Sequence, residues 1–496
     1  MNTKSSRRIF GFPGLPALPV LPALRLAAIT SALMLAFPAW SFVSGSTGAD
    51  GPFNPTINTA VQLPPSGVLN YTTVNIPVGV TVTFIKNATN TPAVILAAGD
   101  VTVAGVININ GKNSPDAGAA GNGNLGDDGL PGEGGPGGYA GGTGGRPAVT
   151  VVSDRDGGNG QGPGGAPRGV SAGPFGVAGG SAGFATAGGG ANITGALGGI
   201  AYGSTALLPL IGGSGGGGGS GGVSFAGSGG GGGGGALLIA ASGTANISGS
   251  ILANAGTVGA SSGSGCGATG GGGSGGAIRV VATTIAGNGT VSAAGGNITI
   301  DGCGGRQSGA GSTGRIRMEA ETFTRTAASN PVHSFSAPGQ VFVAGVPTLS
   351  ITSVAGTNAP ASPTGNADIT LPATTVNPVT VVFQTTGVPV GNNVKLTVTP
   401  AYGAAVTAVS PAITGTTTLG NASVPVSLPS GPSTLLAQTT YTITIAMGQA
   451  LSMFAQNEQV ERIAIKAIPG KANQYFLVTV SGKEFEVPLA RLVGII

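Results

Sequence analysis

The chain has 496 residues, of which 97 are glycine and only 7% are charged, a composition that argues against an ordinary cytosolic enzyme and against a self-repelling disordered tail. Its net charge of +4 traces to Lys4, Arg7, Arg8 and Arg25, all within a first stretch of 41 residues that holds no acid. With those four set aside from the 20 Lys and Arg, the rest balances the 16 acids, so no broad field exists to draw in a nucleic acid.

Residues 1–41 read as an export signal: a basic start, a mostly apolar run from Leu26 to Phe37, and Ala39-Trp40-Ser41 as a small-x-small cleavage site. Ser6-Arg7-Arg8-Ile9-Phe10 resembles a twin-arginine signal. A pair of arginines is common in any basic start, and the general secretory route is favoured. Pro38 and the shortness of the run argue against a retained anchor, and no later segment has the apolar length of a membrane span. A secreted or outer-surface protein without a membrane span is expected once the signal is removed.

Residues 42–346 carry a faint internal repeat. Ala93-Val94-Ile95-Leu96-Ala97-Ala98, Ala236-Leu237-Leu238-Ile239-Ala240-Ala241 and Ala277-Ile278-Arg279-Val280-Val281-Ala282 each lead into alternating apolar residues and spaced glycines. The middle glycines (Gly105, Gly249, Gly289) follow 12, 13 and 12 residues after the opening alanine, and a partial fourth copy begins at Gly314-Arg315-Ile316-Arg317-Met318. Short apolar strands separated by glycine at near-constant spacing suit stacked coils of a parallel solenoid, each covering the inner face of the last. Hairpins in an antiparallel sandwich are the alternative. Cys266 precedes Arg279 by 13 residues and Cys303 precedes Arg317 by 14, so stacking puts both at nearly equivalent positions. Neighbouring strands stand about 4.8 Å apart, a separation a disulfide spans, and a Cys266–Cys303 bridge between coils is predicted.

Within this region an insert of about 112–235 is dense in glycine, with Gly215 to Gly219 and Gly229 to Gly235 as unbroken runs. Glycine at every third place from Gly123 through Gly144 is a collagen-like period, but few of the intervening places hold proline. Extended polyproline-II-like strands, or a loose loop packed on the solenoid, fit better than a triple helix; plain flexibility is the bland alternative. From 347 to 447 glycine thins, and the runs Leu349 to Val354, Val379 to Phe383, Val394 to Val398, Ala422 to Leu428 and Tyr441 to Ile445 predict an immunoglobulin-like β-sandwich. Residues 448–496 predict a small β-meander of Arg462 to Ile468, Gln474 to Val480 and Glu484 to Val487, with turns at Pro469-Gly470 and Ser481-Gly482.

The segment from Thr72 to Val82 (TTVNIPVGVTV), followed by Gly99-Asp100-Val101-Thr102-Val103-Ala104-Gly105, resembles the opening of glycine-rich exported bacterial proteins with a right-handed parallel β-helix, distantly similar to haemagglutinin-type adhesins. The resemblance spans about residues 50–346. It implies an all-β chain with adhesion or a matrix role, and carries no catalytic residue over.

Acid–base chemistry needs positioned groups. The sole histidine, His333 in Pro331-Val332-His333-Ser334, has no nucleophile pattern near it and reads as a surface residue. The glycine runs lack the Lys-Ser/Thr of a phosphate loop. Calcium is the one cation with a candidate site: Asp154, Asp156 and Asn159 resemble half of a calcium loop, although no later acid closes it and an Asx-rich turn explains it as well. Arg279 and Arg317 are expected on one solenoid face with Asp301 nearby, the outward-facing arrangement of β-helix polysaccharide lyases. Asn108, Asn110, Asn246, Asn254 and Asn297 are candidates for amide ladders, whereas Thr81, Thr83 and Thr102 do not continue as the regular Thr ladder of an ice-binding face. No catalytic residue and no cofactor is assigned. The expected function is a non-enzymatic extracellular or cell-surface structural or adhesive protein, with a carbohydrate-binding or lyase-like β-helix protein as the alternative. Its expected partners are glycans, cell-envelope components or other surface proteins.

Overall fold

The computed structural model describes residues 42–117, 129–147, 155–171, 174–192, 196–223, 226–261, 267–297, 307–339, 341, 347–360, 363, 368–400, 405–439, 460–466, 474–479 and 481–487. Regular structure there is all β, with no α-helix among the described residues.

The first thirteen strands are β1 (Thr59–Gln62), β2 (Val68–Tyr71), β3 (Val74–Ile76), β4 (Thr81–Ile85), β5 (Ala93–Ala97), β6 (Val101–Val103), β7 (Val106–Asn108), β8 (Ala236–Ile247), β9 (Ser250–Leu252), β10 (Ala277–Ala286), β11 (Thr290–Ser292), β12 (Arg315–Phe323) and β13 (Ser334–Ser336). They form two sheets: sheet I in the order β13-β12-β10-β8-β5-β2, with β3 and β6 beside it, and sheet II in the order β1-β4-β7-β9-β11. Every pairing within both is parallel. One core of inward residues, including Ile95, Ile239, Val280 and Met318 from sheet I and Val82, Ile107, Ile251 and Val291 from sheet II, fills the space between them.

The repeat copies lie side by side. Ala236 to Ala241 pair with Ala277 to Ala282, and Ala277 to Val280 pair with Arg315 to Met318. The run ALLIA reads as a continuous apolar stretch because sheet I is buried on both faces: its outer side is covered by Phe42, Leu210 and Val341. The first copy is offset by one from the alignment of opening alanines, since Ala93 pairs with Leu237. The pairing of Val101 with Ala245 and of Val106 with Ser250 keeps a constant step of 144 through both sheets, and the extra residue of the second copy is left at its start.

The glycine insert is ordered in its described parts, without a strand assignment. Residues 227–235 sit at its centre. Gly227, Gly230 and Gly233 donate their N–H to the carbonyls of Gly145, Gly142 and Tyr139; Ser228, Gly231 and Gly234 donate to Ala268, Gly271 and Ser274; Gly232 and Gly235 donate to Lys112 and Ile109. Its own carbonyls accept from Gly132 and Gly135, from Gly213, Gly216 and Gly219, and from Gly256. Bonds to each neighbour recur every third residue, the repeat of a polyproline-II helix, so the segment has three donor-side and three acceptor-side neighbours. Backbone groups that such a helix leaves to water are here paired with other backbone.

Consecutive glycines face different neighbours. A Cβ on Gly230 would overlap the carbonyl oxygen of Gly216, on Gly231 that of Gly256, on Gly232 that of Glu133, and on Gly233 that of Gly213. Collagen needs glycine at one place in three; here consecutive places need it, and only Ser228 within 227–235 carries a side chain. Where the runs are broken by serine, the hydroxyl takes a spare N–H, as Ser214 does from Gly164 at 3.0 Å and Ser228 from Gly270 at 3.0 Å.

Beyond residue 347 the strands are β14 (Thr348–Val354), β15 (Thr357–Asn358), β16 (Val379–Thr386), β17 (Asn393–Pro400), β18 (Val406–Ala412), β19 (Thr414–Gly415), β20 (Gly420–Val426) and β21 (Ser433–Gln438). They make two antiparallel sheets, β15-β14-β16-β20-β19 and β18-β17-β21, around Val381, Phe383, Val394, Leu396 and Val424. β18 and β21 were not expected from the sequence, and Tyr441 to Ile445 lies outside the described residues. Strands β22 (Val460–Lys466), β23 (Gln474–Thr479) and β24 (Glu484–Val487) form a separate antiparallel sheet in that order, with Gly482 turning at φ +81°. The expected turn at Pro469-Gly470 lies outside the described residues.

Candidate functional site

Arg279 and Arg317 are register partners on β10 and β12, on the outer side of sheet I. They do not face solvent as a lyase-like pair. Arg279 is 1% exposed and Glu319, two residues beyond Arg317 on the same face, is also 1% exposed. The Arg279 guanidinium grips the Glu319 carboxylate with two bonds, Nε to Oε1 at 2.9 Å and Nη2 to Oε2 at 3.1 Å, while Arg317 Nε adds 2.6 Å to Oε1. The N–H of Gly339 (2.8 Å) completes the carboxylate's partners, and Arg279 Nη1 reaches the carbonyl of Val341 at 3.2 Å. Burial pushes Glu319 up, but hydrogen bonds from Arg279 and Arg317 outweigh it and hold the carboxyl below the usual glutamate range. Desolvating charges this fully is tolerable only with the pairing complete. The cluster therefore fastens Gly339 and Val341 to sheet I and leaves Arg279 no open face for a polymer. Glu319 was missed in the sequence. Its signal was there in Arg315-Ile316-Arg317-Met318-Glu319, where period two puts the acid on the arginines' face. Asp301 lies outside the described residues.

Where it is described, the calcium candidate is taken up by bonds to a later stretch of chain, neither a cation cradle nor a local Asx turn. Asp156 accepts from Arg168 Nη2 at 3.2 Å and from the N–H of Ser171 at 2.8 Å, and Asn159 accepts from the N–H of Arg168 at 3.0 Å. Asp154 lies outside the described residues, as do Cys266 and Cys303 with their predicted bridge. Among the described residues no three acids, histidines or cysteines gather as a metal set. His333 Nδ1 pairs with Ser329 Oγ at 3.0 Å against the ring of Phe323; burial first, and then the Arg325 charge, lower its pKa.

Of the asparagine candidates, Asn110 and Asn254 form a ladder, and it runs from side chain to backbone instead of amide to amide. Oδ1 of Asn110 accepts from the N–H of Asn254 at 2.7 Å, and Oδ1 of Asn254 from that of Ala294 at 2.8 Å. Asp100, Asn113 and Asp116 do the same for Thr244, Thr257 and Ala260, each 144 residues on. Asn108 instead caps the N–H of Asn110 at 3.0 Å.

The glycine segments have two unlike ends. One joins the sheets, where Gly235 bonds Ile109 and Gly213 bonds Gly234. At the other, Gly221 donates to Arg155 (2.8 Å), Ser220 to Val177 (2.9 Å), Ala268 to Ser220 (3.1 Å) and Val223 to Pro174 (3.0 Å). From Gly213 to Gly221 an extended helix covers roughly 25 Å at about 3.1 Å per residue. This far end displays Val170 (53% exposed), Phe175 (47%) and Val223 (45%). Exposed aromatic and apolar side chains are residue types that anchor protein and glycan contacts.

No family model, no curated protein and no solved structure matches this chain.

Proposed function

We propose that this chain is an exported, non-enzymatic structural or adhesive protein of a bacterial surface, and that it makes contact through the far end of its glycine segments. The reading rests on a division of labour within the insert. Interior glycine positions are closed to a Cβ by neighbouring carbonyls, whereas the end around Gly221 carries exposed Val170, Phe175 and Val223. A scaffold of this kind confines the variable, exposed side chains to its end, where they can suit a partner. Glycans, cell-envelope components and other surface proteins are the partners such side chains suit.

The finer architecture follows the same reading. The two parallel sheets are taken as successive coils of a right-handed β-helix, the arrangement of the exported glycine-rich proteins that the Thr72 to Val82 segment resembles, and the antiparallel pair after residue 347 as an immunoglobulin-like spacer. Parallel crossovers in one sheet are right-handed in nearly all proteins.

The test is binding of the exported protein to a glycan panel and to intact bacterial cells, compared with a Phe175→Ser/Val223→Ser double variant. At least a tenfold loss of binding with an unchanged melting temperature is expected. Equal binding by the variant removes the far end from the reading, and depolymerisation of a polysaccharide by the native chain replaces adhesion with catalysis.

A further inference from the structure

The chain between Phe42 and Ser46 runs across sheet I, touching five neighbouring strands in turn. The N–H of Phe42 donates to Glu321 Oε1 on β12 at 2.7 Å, and Thr283 Oγ1 on β10 reaches the Phe42 carbonyl at 3.5 Å. The N–H of Ser44 donates to Ser242 Oγ on β8 at 3.0 Å, and Ser44 Oγ donates to the Ala97 carbonyl on β5 at 2.7 Å. Ser46 Oγ then donates to Tyr71 on β2 at 2.7 Å. The Phe42 ring packs on the apolar outer face around Leu96, Leu238 and Val281, and Ser44 is 1% exposed. This strap ties together strands that belong to every repeat copy. Its outermost polar bond, between Phe42 and Glu321, is the one that holds its free end.

Phe42 is also where the compact unit of residues 42–496 begins, and it follows Ala39-Trp40-Ser41 directly. We propose that hydrolysis of the Ser41–Phe42 peptide bond during export converts the Phe42 nitrogen into an ammonium that pairs with the Glu321 carboxylate, so that processing itself locks the strap. The inference rests on the export reading above. In the hydrolysis, catalysed by a signal-removing peptidase, water adds across the C–N bond: its oxygen goes to the Ser41 carboxyl, and the Phe42 nitrogen gains protons to become –NH3+. Before the cut, that nitrogen offers Glu321 one neutral N–H. Afterwards it offers three donors and a positive charge at the same place, which makes a charge-assisted bond in place of a neutral one.

The full-length gene product is expressed in an exporting bacterium, and the secreted protein is examined by intact mass and N-terminal sequencing. Phe42 is expected as the first residue. Retention of residues 1–41, or a first residue elsewhere, overturns the inference, and retention overturns the export reading with it. The processed protein and its Glu321→Gln variant are then acylated at neutral pH with a limiting amine-reactive reagent, and modification of the Phe42 α-amine is followed by peptide mass. A severalfold faster modification in the variant is expected. A parallel form beginning at Ser41 should show no such dependence on Glu321. Equal rates in the processed protein and its variant would refute the ion pair while leaving export and cleavage standing.

Discussion

Two interiors stand side by side in this molecule and are built on opposite terms. Between sheets I and II the space is filled by side chains such as Ile95, Ile239, Val280 and Met318. Around Gly231 there are no side chains to fill it, and backbone packs on backbone, carbonyl against Cα. The first interior is stabilised by apolar burial and fails when it loses atoms. The second offsets the large ordering entropy of glycine with hydrogen bonds that individually contribute about 1 kcal/mol, and it fails when it gains atoms. An interior of backbone alone leaves sequence variation to its margins, which is where the exposed Phe175 and Val223 are found.

One methyl group placed in each interior breaks or upholds that contrast. Gly231→Ala sets a Cβ against the Gly256 carbonyl, which belongs to backbone bonded on to Gly273 and Gly232 and has no rotamer by which to yield. A loss on the order of 4 kcal/mol is expected, above the usual cost of overpacking a side-chain core. Ile239→Val, which removes one methyl, should cost about 1 kcal/mol. Urea denaturation midpoints of the two variants decide the matter. A Gly231→Ala protein as stable as Ile239→Val would mean that the glycine segments are loosely packed and that their runs need another explanation.

The sequence discloses these two interiors unequally. The AVILAA, ALLIAA and AIRVVA runs announce strands buried on both faces, and their pairing could be anticipated, save for the one-residue offset of Ala93 against Leu237. Glycine spacing betrays a three-residue period, but which glycine faces which neighbour is decided by chains far apart in sequence, so enclosure on all sides was not legible. β18 escaped because Pro411 and its mostly exposed residues mark an edge strand, which carries little apolar alternation. The candidate site was the least legible part: the far end is assembled from Arg155, Pro174, Val177, Gly221 and Ala268, which no local pattern connects.

A second test concerns the place where a buried ion pair enters the packed side of sheet I. Along the outward column Val94, Leu238, Arg279 and Arg317, the apolar series gives way to arginine, and Glu319 on the adjacent column neutralises it. Glu319→Gln should cost about 3 kcal/mol at neutral pH because Arg279 stays buried without a counter-charge. A carboxyl held low in the folded chain stabilises that fold above the ordinary glutamate value of 4.5, and the contribution drains away as pH falls through the lower folded value. Stability of the native chain should therefore drop on acidification along a limb that is flatter in Glu319→Gln, as read from melting temperatures between pH 7 and pH 2. Superimposable acid limbs would show that the carboxylate does not carry the cluster.

The smallest expected effect lies at the seam where the two interiors meet, because there neither side chain nor backbone closes the structure alone. Asn254 follows β9 of sheet II and leads towards Gly256, whose carbonyl already faces the glycine interior. Its N–H is taken by Asn110, and its Oδ1 takes the N–H of Ala294 and the hydroxyl of Ser292, at 2.6 Å. Asn254→Ala strips an acceptor from both donors and should cost about 1–2 kcal/mol. Asn254→Asp keeps the acceptor oxygen and should lie close to the native chain, since the bonds use Oδ1. Amide exchange at Ala294 separates this from a general loss of stability: it should quicken in Asn254→Ala well before global unfolding and stay slow in Asn254→Asp. If exchange at Ala294 were equally slow in both variants, the side-chain ladder would be an accompaniment to the parallel stacking, and the join between the two interiors would have to be held by backbone bonds alone.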